Sequence, residues 1–254
     1  MTSPRLQSRS NPVAAMLRSE AKLLARNPGV VIWTTLLPVG GCIALAAVPA
    51  TRAPSTDLGG LSFFQTYQPV LVLFAITLLA VQALPDVLTR YREMGVLKRL
   101  RTTPVPPARL LNAQLVLILS VSLACMALMV VVPALVGATL PRNLPGFGLA
   151  FLLAAWALLG IGMVIASSFR NAKVAAGFGT IVFFVLQFLA GLWWQRPLMP
   201  GWLRAISNFS PSGAAVQALT DAAAGGWPQL PDLAVLAGWG LLTSVVAVRL
   251  FSWE

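Results

Sequence analysis

Residues 86–109 read DVLTRYREMGVLKRLRTTPVPPAR. Arg90, Arg92, Lys98, Arg99, Arg101 and Arg109 crowd this stretch, and apolar sequence flanks it on both sides. Apolar runs of such length belong in lipid, where unsatisfied backbone groups are costly and the helix satisfies its own. A dense basic stretch between two such runs must lie in water, and its Lys/Arg content places it on the cytoplasmic side. The loop therefore sets the fold class, an all-α integral membrane protein, and its orientation.

Composition agrees. The chain has 254 residues, 57% of them hydrophobic and 10% charged. A soluble domain carries about 25% charged residues. The length suits one compact bundle. A net charge of +11 would suggest nucleic acid in a soluble protein. Here the charges sit between apolar runs, which fits topology control and contact with the lipid bilayer, so no nucleic-acid partner is expected. The chain has no His, which removes any near-neutral imidazole base or ligand. Cys42 and Cys125 fall inside apolar runs and read as small core residues rather than a disulfide. No small-residue cleavage site precedes the first apolar run near Val30, so no secretory signal peptide is expected.

A span needs about 20 apolar residues. Six segments qualify, at 30–50, 67–85, 110–138, 147–167, 174–194 and 233–251. With the N-terminus inside, fourteen of the Lys and Arg residues fall in cytoplasmic segments; Arg52, Arg142, Arg196 and Arg204 fall outside. Both termini are then cytoplasmic, in a multi-pass protein of the cytoplasmic (inner or plasma) membrane. Before the first span, Asn11 and Pro12 open a helix with Val13, Leu17, Ala21 and Leu24 on one face and Arg18, Lys22 and Arg26 on another. That pattern predicts an amphipathic helix in the inner interface; the alternative is a solvated basic tail. The chain thus divides into a tail and interfacial helix at 1–29 and a six-span domain at 30–254.

The outer loop at 195–232 is too apolar to be free and too short to span. Ser210-Pro211 reads as an N-cap and first-turn proline, and Gly225-Gly226 as a helix end. One or two short re-entrant helices that dip into the outer leaflet between spans five and six are expected, packed on protein. Trp193, Trp194, Trp202 and Trp227 gather nearby, as in an aromatic belt.

Catalytic chemistry has little to stand on. Glu20, Asp57, Asp86, Glu93, Asp221, Asp232 and Glu254 all lie away from span centres. Ion-coupled transporters usually bury ionisable groups on their path, and membrane hydrolases need paired carboxylates, His or a metal cluster. No catalytic or metal-ligating residue is expected. There is no phosphate loop of the form GxxxxGK[ST], so transport driven by ATP would need a separate nucleotide-binding chain. The 86–109 loop suits such a partner. Leu88 and Tyr91 continue the second span's helix below the membrane, Gly95 permits a bend, and residues 96–101 form a short crosswise helix. Its apolar side carries Val96, Leu97 and Leu100, and its basic side Lys98, Arg99 and Arg101. The alternative is a solvated basic loop that only fixes topology.

The loop resembles the coupling loop of ABC type-2 transporter permeases, which carries a Glu, a Gly, a Leu and a basic pair before Thr-Pro. Glu93, Gly95, Leu97, Lys98-Arg99 and Thr103-Pro104 match, with Tyr91, Arg92 and Arg101 beside them. A second stretch is similar to the family's outer region: Ala190-Gly191, Pro197, Pro200, Trp202-Leu203 and Ser210-Pro211, with Ala190 in place of the common Ser. The resemblance covers nearly the whole chain from Asn11, and its nearest flavour is the daunorubicin-type drug-resistance branch. It implies the permease subunit of an ATP-driven exporter of a hydrophobic or amphipathic substrate (drug, lipid, glycolipid or polysaccharide). It also implies two copies of an ABC ATP-binding subunit, which hold the ATP and Mg, and a second copy of this chain or a related permease. This chain itself would bind no cofactor. The first and fifth spans would meet across the dimer axis, with Gly40, Ala44, Phe183, Phe184 and Phe188 as pathway or dimer candidates. Glu93 and Gly95 are expected to carry the ATPase contact. The alternative class is an ATPase-independent secondary transporter or membrane scaffold.

Overall fold

The computed structural model describes residues 32–58, 60–95 and 107–250. The amphipathic helix expected within 11–27 and the crosswise helix expected at 96–101 lie outside them. Helix dominates, and no strand occurs among the described residues apart from one isolated bridge between Pro54 and Ser62. Five helices are long and apolar enough to cross a membrane, and Thr34–Ala47 adds a shorter apolar one. The protein is an all-α membrane protein.

Helix α1 (Leu37–Ala47) follows a single π-helical turn at Ile32–Leu36, and Val48-Pro49 ends it. The second span is one helix of 31 residues, Phe63–Glu93, made of α2 (Phe63–Thr77), a π-helical stretch (Leu78–Ala83) and α3 (Leu84–Glu93). It starts four residues before the expected Tyr67 because Ser62 and Gln65 form a reciprocal capping box, each side chain bonding the other's backbone N–H. It also runs past Pro85, where the apolar run ends, through Leu88 and Tyr91 as expected. At 1.5 Å per residue it is about 46 Å long, against about 30 Å of hydrocarbon, so its Glu93 end stands clear of the lipid core. Helix α4 spans Pro107–Leu135, with Pro107 opening it three residues before the expected 110. Helices α5 (Leu144–Ser168) and α6 (Ala172–Ala190) are the fourth and fifth spans. Gly191, at φ +95°, ends α6, so Trp193 and Trp194 lie beyond the helix rather than in it.

The loop at 195–232 contains two helices, α7 (Gly201–Phe209) and α8 (Pro211–Ala224). Ser210 caps α8 by accepting from the Gly213 N–H at 3.0 Å, and Gly225 closes it at φ +106°. Helix α8 is too short to span, yet it is among the most enclosed parts of the molecule. Ser212, Ala214, Ala215, Ala218, Leu219 and Ala222 are fully buried. Its small side chains let it pack closely on α5, α2 and α6, and on α9 (Leu230–Leu250), the last span. The largest helix pairing is α5 with α9. Glycine permits it: a Cβ on Gly160 would collide with Thr243, and one on Gly240 with the Trp156 ring. Trp156 also donates to the Ser244 hydroxyl at 3.1 Å. Cys42 and Cys125 are free and buried.

The π-helical stretch has a local cause. Leu84 donates to the Leu79 carbonyl, one residue further back than in an α-helix. Pro85 has no N–H to give. The Ala80 carbonyl therefore loses its donor on the same helix, and so does Val81 in α-helical register. Both carbonyls face glycines: Ala80 meets Gly162 of α5 and Val81 meets Gly179 of α6. Bare Cα–H groups serve as weak donors there. The second span is thus seated tightly on the fourth and fifth, just above its projecting end.

Candidate functional site: the end of the second span and its bracket

The projecting end carries Asp86, Arg90, Tyr91, Arg92 and Glu93. Asp86 and Arg90 pair at 2.9 Å along the exposed side of α3. Tyr91 is half-buried against the core. The helix stops where the Met94 and Gly95 N–H groups turn back to the carbonyls of Arg90 and Arg92. Gly95 takes φ +66°, a left-handed conformation that a side chain would strain. The bend expected at Gly95 is present. Leu97, Lys98, Arg99, Arg101, Thr103 and Pro104 lie outside the described residues.

Arg92 and Glu93 reach sideways to the turn between α5 and α6. The Arg92 guanidinium donates to the carbonyls of Ala166 at 2.8 Å and Ser167 at 3.4 Å, in the last turn of α5. The Glu93 carboxylate accepts from the N–H of Ala172, the first residue of α6, at 2.7 Å. Asn171 accepts from the next two N–H groups, Lys173 at 2.9 Å and Val174 at 3.2 Å. Three N–H groups at the start of α6 are therefore satisfied, two by its own cap residue and one by a carboxylate from another helix. The electrostatics agree with the hydrogen bonds. A cation sits on the negative end of α5 and an anion on the positive end of α6, each worth about 0.3–1 kcal/mol. Neighbouring residues of opposite charge thus form a bracket over one interhelical turn. Glu93, expected at an ATPase contact, has its partner within the chain.

The pathway and dimer candidates separate into two groups. Gly40 and Ala44 lie on an exposed face of α1, opposite buried Val39, Cys42 and Ala46. Phe184 and Phe188 are exposed on α6, and Phe184 stacks on Trp193 with ring centres 5.7 Å apart. Phe183 is buried and meets Phe74 edge-on at 5.3 Å, so it packs within the chain.

Sequence reasoning missed a polar cluster at the opposite end. Arg196, counted as an outer-loop charge, is buried, and its guanidinium donates to the Ser207 hydroxyl and to Asn208 Oδ1 at 2.7 Å. Ser207 in turn donates to the Leu189 carbonyl at 2.6 Å, tying α7 to the end of α6. Burial lowers the Arg196 pKa from its ordinary value, and burial raises that of Asp221 against its hydrogen bonds from Gln217 and Gln229. The signal available was Asp221 and Asp232 lying in otherwise apolar helical sequence.

These features define the class: a multi-pass helical membrane protein whose second span ends in a turn at Gly95, braced against the fourth and fifth spans. The model of the ABC-2 type transporter family matches residues 12–223, and the chain belongs to that family. A search of curated proteins finds no match. The family consists of transport membrane components that work with ABC ATP-binding subunits, so this chain is a transporter permease subunit.

Proposed function

We propose that this chain is the permease of an ATP-driven exporter in the cytoplasmic membrane, moving a hydrophobic or amphipathic substrate. Two permease copies form the pathway. Two ATP-binding-cassette subunits hold ATP and Mg on the cytoplasmic side and act on the loop around Glu93 to Pro104. The observation that carries the reading is the Arg92–Glu93 bracket. A push on the loop reaches α3 directly. Through the bracket it reaches the ends of α5 and α6 together, and the glycine seats at Gly162 and Gly179 hold the same three helices in step further up. A small displacement of an attached subunit is thereby converted into joint movement of three helices.

The test is reconstitution with an ABC ATP-binding subunit, sought first among the reading frames that neighbour this chain's gene. Co-purification, substrate-stimulated ATP hydrolysis and ATP-dependent efflux from vesicles are expected. Transport that needs no ATPase and follows an ion gradient would instead establish a secondary transporter.

A further inference from the structure

At the end of the bundle away from Glu93 lies a cavity of about 620 Å³. Its walls are the start of α2, the turn after α6, helices α7 and α8, and the first turns of α9. Tyr67, Val70, Val216 and Val235 supply much of its apolar surface, and Arg196 and Asp232 its charge. Its volume is that of a site for a drug-sized molecule.

The polar groups around the cavity are unequally available. The Arg196 guanidinium spends its terminal N–H groups on Ser207 and Asn208. Arg204 donates to the carbonyls of Pro197 and Met199 at 2.6 and 3.2 Å. Thr66 donates to the Ser62 carbonyl at 3.1 Å, and Gln217 to Asp221 at 2.9 Å. These donors are committed within the protein, the buried Nε–H of Arg196 excepted, which no acceptor meets. Asp232 differs. It is 8% exposed and lines the cavity, and no donor or cation among the described residues bonds to it. The nearby Asp221 acts on it with the same sign of charge, Arg196 acts with the opposite sign but does not bond to it, and Asp221 Oδ2 is itself buried without a partner. Position in the first turn of α9 eases the charge through the helix dipole. It does not supply the hydrogen bonds that a buried carboxylate needs.

What is missing is a donor that brings positive charge. We infer that this cavity binds an organic ammonium ion with an apolar body, whose N–H donates to the Asp232 carboxylate while its hydrocarbon lies against Tyr67, Val70, Val216 and Val235. Its role as a cargo site rests on the permease reading; the binding itself does not. The ammonium can come from a soluble amphiphile or from an amine-bearing lipid headgroup, and the cavity recognises the chemistry common to both. An anion of equal size would meet the unbonded Asp232 carboxylate.

The experiment is direct binding to the purified full chain in dodecyl maltoside micelles without any ATPase, so that failure of coupling and failure of binding are separate results. Ethidium, an aromatic cation with N–H donors, is followed by fluorescence anisotropy; the anion anilinonaphthalene sulfonate is the competitor. Saturable ethidium binding is expected, unaffected by the anion. Asp232→Asn should weaken it about tenfold or more, the scale of a lost charge-assisted hydrogen bond. Val235→Trp, which keeps the charge and fills the cavity, should abolish binding by itself and stands alone if the first variant does not fold. Displacement by added phosphatidylethanolamine assigns the site to a lipid amine, and persistence of ethidium assigns it to a soluble one. Absence of saturable binding, equal affinity in Asp232→Asn and wild type, or displacement by the anion overturns the inference.

Discussion

At the Glu93 end of the bundle, each charged group of α3 is matched. Asp86 holds Arg90, Arg92 holds the closing carbonyls of α5, and Glu93 holds the opening N–H of α6. At the other end, Arg196 spends its hydrogen bonds on neutral side chains, while Asp221 and Asp232 share the region with no cation within ion-pair distance among the described residues. Both ends use the same few residue types. What differs is whether the partner is built into the chain. Matched charges on helix ends fix geometry and transmit force. An unmatched carboxylate in a cavity leaves a requirement that something else must fill.

The largest effect should come from reversing the bracket. Glu93→Lys removes a cap on α6 and places a cation at the positive end of a helix. Each change costs about 1 kcal/mol, which together amounts to a tenfold or greater loss of coupled transport. Membrane insertion should be unchanged. The double exchange Arg92→Glu with Glu93→Arg sharpens the point. If the two residues partnered each other, the exchange would restore activity. Because their partners are helix ends of fixed polarity, vesicle efflux should stay as low as in the single variant.

Next in size is the seat of the second span. Gly162→Ala puts a methyl group against the backbone carbonyl of Ala80, where no flexible side chain can yield. Overpacking of this kind costs about 1–3 kcal/mol. Gly177→Ala is its control: the same substitution in the neighbouring helix meets nothing within 4 Å. That change should be neutral or stabilising by up to about 1 kcal/mol, since glycine weakens a helix interior. Thermal melting in detergent should separate the two. Equal melting temperatures would show that the π-helical stretch is not wedged between α5 and α6.

Much of this was legible in the sequence. The apolar runs, the basic loop, Ser210-Pro211 and Gly225 led to the right elements, because hydropathy and caps are local properties. The early start of the second span was missed, although Ser62 and Gln65 have the spacing of a capping box. Continuation of the helix beyond Pro85 was legible in Leu88 and Tyr91; the π-helical residues that absorb the missing N–H, and the glycines of two other helices that cover the freed carbonyls, were not. The bracket was only half visible. Asn171 reads as a cap in any sequence, but a carboxylate 79 residues from Ala172 sharing its task is a tertiary fact. Burial of Arg196 was equally hidden, since its partners Ser207 and Asn208 resemble ordinary loop polar residues.

A smaller effect tests the charge balance at the cavity end through pH. Burial raises the Asp221 pKa above its ordinary value of 3.8. The folded state then holds this proton more tightly than the unfolded state, so stability falls as pH rises from about that value through the raised one. Asp221→Asn cannot ionise and should flatten this part of the melting-temperature profile. A wild-type profile that rises across the same window and is unchanged in the variant would remove Asp221 from the account.

The smallest effect should come from Asp86, and its smallness is informative. Asp86 and Glu93 sit on the same helix, two turns apart, and each makes a hydrogen bond under 3 Å. Proximity and charge alone would predict similar consequences of neutralising them. Their partners differ. Asp86 binds the exposed end of Arg90, four residues along its own helix, a pairing worth about 0.3–0.5 kcal/mol and screened by salt. Glu93 binds the backbone of a different helix, where no other group is placed to take over. Asp86→Asn should therefore lower the melting temperature slightly, and less at high ionic strength, while leaving efflux near the wild-type rate. Glu93→Gln, isosteric and also neutral, keeps an acceptor oxygen for Ala172 and should lie between Asp86→Asn and Glu93→Lys in efflux. If Asp86→Asn matches Glu93→Lys instead, the loop end works by summed negative charge rather than by a bracket on two helix ends.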